Sequence, residues 1–252
     1  MALTRRAALR ATLVIAGLVG IVGSCGGEST KEKPFTEEQV QLVANAFFRN
    51  HDAKGISFTL STPGEGGAGT LVIQGDVDFV KLIGGARVIG GSNPHPVTRV
   101  FWAGSTVVEG RPTLRESLDA LGYTGVNYVA REIDLKARRL DVLLSAVMGM
   151  GMEQPENAVL VRQKEGSAHL RDDELRGTKV QVLRYGDRLA LWIDPVTGDL
   201  LRFEGTNAAR TFPIIIDILS KGPRSIDGPL KSEVVDATKL GESYAEWAPQ
   251  SP

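Results

Sequence analysis

The 252-residue chain carries 29 basic and 30 acidic residues, a formal net charge of −1, and three of its basic residues fall within the first ten positions. That balance argues against a nucleic-acid-binding surface, while a hydrophobic share of 42% is that of a globular protein able to bury a core. A single cysteine, Cys25, excludes an intrachain disulfide and a multi-thiolate metal site.

Arg5, Arg6 and Arg10 form a positive n-region, residues 11–23 (ATLVIAGLVGIVG) hold no charge, and Ser24-Cys25 leads into the polar stretch GGESTKEKP. This order is the layout of a secretory signal peptide. An uncleaved transmembrane helix is the competing reading, but it needs about 18–20 apolar residues. Val22-Gly23-Ser24-Cys25 resembles the bacterial lipobox, whose cysteine is diacylated before cleavage. The sequence therefore predicts a signal peptide over 1–24, a lipidated N-terminus and tether over 25–35, and attachment through Cys25 to the extracytoplasmic face of the cell membrane. With Cys25 in the anchor, the folded domain has no cysteine nucleophile.

One domain is expected over 36–241, since no linker or repeat divides it. Thr36 opens a helix: its hydroxyl caps the first turn, Gln39 completes a capping box, and Val40, Val43, Ala44 and Phe47 form one apolar stripe ending near Asn50. Strands follow at 56–62 and around Leu71, Ile73, Val77 and Phe79, which alternate with Gln74, Asp76 and Asp78. Glycines cluster at expected turns, GEGGAG at 64–69 and pairs at 84–85 and 90–91. Residues 99–103 and 106–108 are short strands. Thr113-x-x-Glu116 is a second capping box, with Leu114, Leu118 and Leu121 along a short helix and Gly122 at its left-handed end. Residues 127–134 read as a strand and 140–148 as an apolar helix.

In the C-terminal half, 179–185 and 188–194 are strands joined at Gly186-Asp187, and 200–204 follows the turn at 194–199. Strand 188–194 is apolar on both faces, Ala190 and Trp192 opposite Leu189, Leu191 and Ile193, so both faces are expected to be covered, one by helices and the other by a ligand. The tail, 242–252, reads as flexible, with Trp247 as its docking residue. Many short strands and 29 glycines point to antiparallel β structure.

Leu175-x-Gly177-x-x-Val180, Leu191-Trp192-Ile193-Asp194-x-x-Thr197-Gly198-x-Leu200-x-Arg202, Gly222-Pro223 with Ile226 and Pro229, and Val234-Val235-Asp236 together resemble the actinobacterial LppX/LprG-type envelope lipoproteins, relatives in fold of the LolA and LolB carriers. The resemblance is strongest over 170–240 and does not extend to 139–157 or 84–95. It implies an α+β fold: a strongly curved antiparallel sheet, an incomplete barrel, with helices packed in its concave face. It further implies an apolar cavity between sheet and helices for acyl chains of lipids or lipoglycans. On this reading Val72, Phe101, Leu118, Leu143, Val147, Met150 and Trp192 line that space, although an ordinary packed core selects the same residues.

Met148, Met150 and Met152 suit an adaptable apolar wall, a core, or a Cu(I) site of three thioethers. His51, His95 and His169 have no metal-ligand spacing, and no catalytic or phosphate-binding motif is present, so no enzyme activity and no cofactor are expected. Lys136, Arg138 and Arg139 are a solvated turn or cations at a cavity mouth that meet lipid phosphates. The expected partners are the membrane, through the anchor, and an acyl-chain lipid. The second reading is a sensor or scaffold module of similar fold, with a filled interior and a protein partner in the envelope.

Overall fold

The computed structural model describes residues 32–64, 69–90, 96–206 and 212–247, with the side chains of Glu246 and Trp247 left out. Cys25, the expected signal peptide, most of the expected tether, His95 and the expected docking of Trp247 lie outside these residues. No helix among the described residues is long and apolar enough to cross a membrane.

Twelve strands make one sheet: β1 (Gly55–Pro63), β2 (Thr70–Asp78), β3 (Ile83–Ile89), β4 (Arg99–Ala103), β5 (Thr106–Gly110), β6 (Tyr128–Glu132), β7 (Ala168–Leu175), β8 (Thr178–Tyr185), β9 (Leu189–Ile193), β10 (Leu200–Thr206), β11 (Pro213–Lys221) and β12 (Val234–Asp236). Their order is β12-β6-β5-β4-β3-β2-β1-β11-β10-β9-β8-β7. Every neighbouring pair is antiparallel except β12–β6. The edge strands β12 and β7 do not meet, so the curled sheet stops short of a barrel, and Lys33 bridges to His169 on the β7 edge. Register shifts at Ser57/Phe58, His169/Arg171 and Leu200/Arg202 add the local bends that such curling needs.

Period-2 alternation sorts the strands into two faces. The concave face carries Ile56, Phe58 and Leu60, then Ile73 and Val77, and Leu191, Ile193, Ile214, Ile216 and Ile218, all in one buried cluster. Among the described residues, α1 (Glu37–Asp52), α3 (Arg139–Met148) and α4 (Ala158–Gln163) pack in that cluster, while α2 (Arg115–Ala120), α5 (Ala237–Leu240) and α6 (Glu242–Trp247) form a second cluster against Val129 of β6. Helix α1 forms as its sequence specifies: Gln39 N donates to Thr36 Oγ1 (3.2 Å) and Thr36 N to Gln39 Oε1 (3.0 Å). Val40, Val43 and Ala44 face the sheet, and Phe47 meets Phe203 with ring centroids 6.4 Å apart.

Several expectations need correction. Gly84 and Gly85 are not a turn but the interior of β3. Their missing side chains admit neighbours: the indole of Trp102 lies where a Gly84 side chain would stand, and Ile226 and Phe101 press on Gly85 from the other side. Helix α2 enters through a 3₁₀ turn at Pro112–Leu114, which puts its N-cap at Leu114, one residue beyond the expected Thr113. Leu114 and Leu118 are buried but Leu121 is exposed. Gly122 does take the left-handed conformation, φ 87°. The stretch 242–247, expected in the tail, is α6, and its Tyr244 is buried.

Because Trp102 rests on Gly84, Gly84→Ala should overpack this face and destabilise the protein by about 1–3 kcal/mol. Urea denaturation followed by tryptophan fluorescence measures it.

Candidate functional site

Helix α3 forms from the apolar run that the sequence singles out, and it packs into the cluster on the concave face of the sheet. Leu143 and Val147 are 0% exposed, and Leu144 and Met150 nearly so. A side chain without accessible surface borders no space that a water molecule could enter, so this part of the interior is packed with protein. The helix ends at Gly149, and Gly151 follows with the ring of Phe79 where its side chain would be. Asn50 Nδ2 of α1 donates to the Met150 carbonyl at 2.8 Å.

Polar contacts hold α3 at two points. Asp141, in its first turn, is 0% exposed. Arg131 on β6 donates Nη1 and Nη2 to the two Asp141 carboxylate oxygens, both at 2.6 Å, and Asp134 N adds a bond of 2.6 Å. The same guanidinium donates Nε to Glu109 Oε1 on β5 at 2.8 Å. Glu109 Oε2 then accepts from Arg111 Nε (2.9 Å) and from the hydroxyl of Tyr244 on α6 (3.1 Å). Two carboxylates thus face two guanidiniums, all buried, and the Arg131–Asp141 pair is bidentate. Burial pushes the Glu109 carboxyl up, but Arg111 and Arg131 more than offset it and hold it below the ordinary carboxylate range. Burial and the Glu109 charge push Tyr244 up to about 12.

The second point is Arg139. Its Nη2 donates to Thr62 Oγ1 at 2.9 Å and to the Pro63 carbonyl, and its guanidinium stacks 4.2 Å from the Phe212 ring. Arg138 lies 5.6 Å from the Tyr244 ring. Arg138 and Arg139, read from the sequence as part of a solvated turn or as cations at a cavity mouth, therefore grip the protein itself.

The seven residues chosen as cavity lining do not converge. Leu143, Val147 and Met150 lie in the interior, whereas Leu118 belongs to a separate cluster with Leu114, Val126, Val129, Val235, Leu240 and Tyr244. Val72, Phe101 and Trp192 point to the convex face. Val72 shares the parity of Gln74 and Asp76, and Phe101 pairs across strands with Val108. Trp192 pairs with Val182 and Arg202. Trp192 packs with Val180 and Val182, and the Arg171 and Arg202 guanidiniums lie 5.2 and 5.3 Å from its ring. Among the described residues no group of His, Cys, Asp or Glu is placed to hold a metal. Met150 is buried, Met148 packs against the core and Met152 is largely exposed.

The ion network escapes sequence reading because its members come from three separate elements. Its one local signal is Glu109 and Arg131 standing at inward positions of otherwise alternating strands.

No family model matches the sequence, and no curated protein matches it. Among solved structures, the chain is similar to an uncharacterised conserved protein of Thermus thermophilus (10% identity, 75% of this chain, 94% of that one, TM-score 0.37). It is also similar to a LolA superfamily protein of Nitrosomonas europaea (8% identity, 77% and 96%, TM-score 0.29). A third similarity is to the MucA/MucB complex of Pseudomonas aeruginosa (12% identity, 78% and 59%, TM-score 0.32).

Removing one partner of a buried ion pair leaves the other uncompensated, so Asp141→Ala should cost about 3–5 kcal/mol in chemical denaturation. Because Glu109 is held below its unfolded range, its contribution is full above roughly pH 4.3 and is lost as pH falls through the lower native value. Glu109→Gln should therefore flatten the acid limb of stability against pH relative to the parent protein.

Proposed function

We propose that this protein is a non-catalytic binding module of the bacterial cell envelope, anchored by a diacylated Cys25, that takes an acyl chain of a lipid or lipoglycan between sheet and helices. The observation that carries the reading is α3 itself. It fills the concave face with Leu143, Leu144, Val147 and Met150, is followed by two glycines, and is held by discrete polar contacts at Asp141 and Arg139. A helix of this kind is a plug that a ligand can replace.

Magnitudes support the exchange. Withdrawing four such side chains forfeits roughly 6–12 kcal/mol of apolar burial, and an acyl chain of about fourteen methylenes returns about 11 kcal/mol. The apolar terms nearly cancel, which leaves the Arg131–Asp141 contact to set the balance between closed and loaded forms. The tight packing of Leu143, Leu144, Val147 and Met150 favours a second reading, in which α3 never leaves and a protein partner docks on the outer surface.

A lipid with a photoreactive acyl chain should label peptides of β1, β2 and α3, and Asp141→Asn, which weakens the hold on α3, should increase that labelling severalfold. Equal or absent labelling in both proteins, mapped by peptide mass spectrometry, supports the partner-binding module instead. Separately, Cys25→Ala should release the protein from the membrane fraction. Retention there contradicts the anchor.

A further inference from the structure

The convex face holds a feature that the α3 reading does not use. After β11 the chain crosses the outside of the sheet as a strap. Arg224 Nε approaches Asp76 on β2 at 3.5 Å, Ile226 lies against Gly85 on β3, and Asn127 N beside β6 bonds the Glu233 carbonyl at 3.0 Å. The strap does not fill the space beneath it. A groove of about 550 Å³ remains, floored by Ile83, Phe101, Val108 and Ala130 and walled by Ile226 and Pro229. Its size is that of a small-molecule cleft.

Two observations identify what fits there. The first is the apolar floor, since the outer face of an antiparallel sheet is ordinarily polar where it meets water. Here Phe101, Val108 and Ala130 stand at outward positions on three adjacent strands, and Leu230, next along the strap, is 69% exposed. The second is the charge at the rim, where Lys231 and Lys239 line the groove and are both exposed. Asp236 also lines the groove and keeps its negative charge beside Lys239 while it caps α5, accepting from Thr238 N at 2.8 Å and Thr238 Oγ1 at 2.7 Å, so the rim sets two ammonium groups against one carboxylate. An apolar floor with a net positive lining complements a single-chain anionic amphiphile.

We infer that this groove binds a long-chain fatty acid, its acyl chain along Phe101, Val108 and Ala130 and its carboxylate between Lys231 and Lys239. The site is independent of α3 and of any ligand in the concave interior. Its affinity weakens as salt rises, because the rim charges face solvent.

The test uses the full-length protein with palmitate and methyl palmitate as competitors of a fluorescent fatty acid. Palmitate should bind, and the Lys231→Gln/Lys239→Gln variant should weaken it about three- to tenfold while leaving the methyl ester unchanged. Ala130→Phe, which fills the floor, should reduce both at least tenfold. Since a phenylalanine at this position also loads the sheet, a photoreactive fatty acid bound to the unmodified protein gives a second readout, with label expected in peptides covering 99–110 and 222–236. Failure of palmitate to bind, equal loss of acid and ester in the lysine variant, or label confined to β1, β2 and α3 overturns the assignment. The last of these outcomes would at the same time support the interior site.

Discussion

The guanidinium of Arg131 has one edge on Asp141 and another on Glu109, inside an otherwise apolar concavity. Apolar packing is non-directional and tolerates exchange of one hydrocarbon for another. A buried charge does not, because without its partner it loses water and regains nothing. This cation therefore sets how deep α3 sits, which strand it sits on and, through Glu109 and Tyr244, where the C-terminal helix closes. Isoleucines and leucines supply most of the cohesion of the half-barrel, while four ionised groups fix its arrangement.

Elements with a local signature are legible in the sequence. The Thr36–Gln39 box places the start of α1, alternation places β2, and the turns at Gly186-Asp187 and 194–199 place β8, β9 and β10. Elements without one are not. Strand β3 is hidden because Gly84 and Gly85 read as a turn, when they are small to accommodate Trp102, Phe101 and Ile226, contacts distant in sequence. Strand β11 goes unread despite Ile214, Ile215 and Ile216, a β-branched run typical of a strand in mid-sheet. The edge strand β12 is only three residues long and owes its position to β6.

The candidate site is legible in part for a related reason. Periodicity finds apolar residues but not which face becomes concave, so it groups Val72, Phe101 and Trp192 with Leu143 and Val147 although they stand on opposite sides of the sheet. The basic run 136–139 carries a true signal in Arg138 and Arg139, but the groups they meet, Tyr244, Thr62, Pro63 and Phe212, lie far away along the chain. Among the described residues the sheet thus carries an apolar region packed by α3 and, on its other face, one that lies open under the strap.

Native-state hydrogen exchange tests the central claim, that α3 is a separable plug held by polar contacts, most directly. The account predicts that amides of α3 exchange through a sub-global opening of lower free energy than those of β1, β2 and β11, and that removing the Asp141 carboxylate lowers this opening without altering the sheet. Exchange of α3 only through the same global unfolding as the sheet would contradict it.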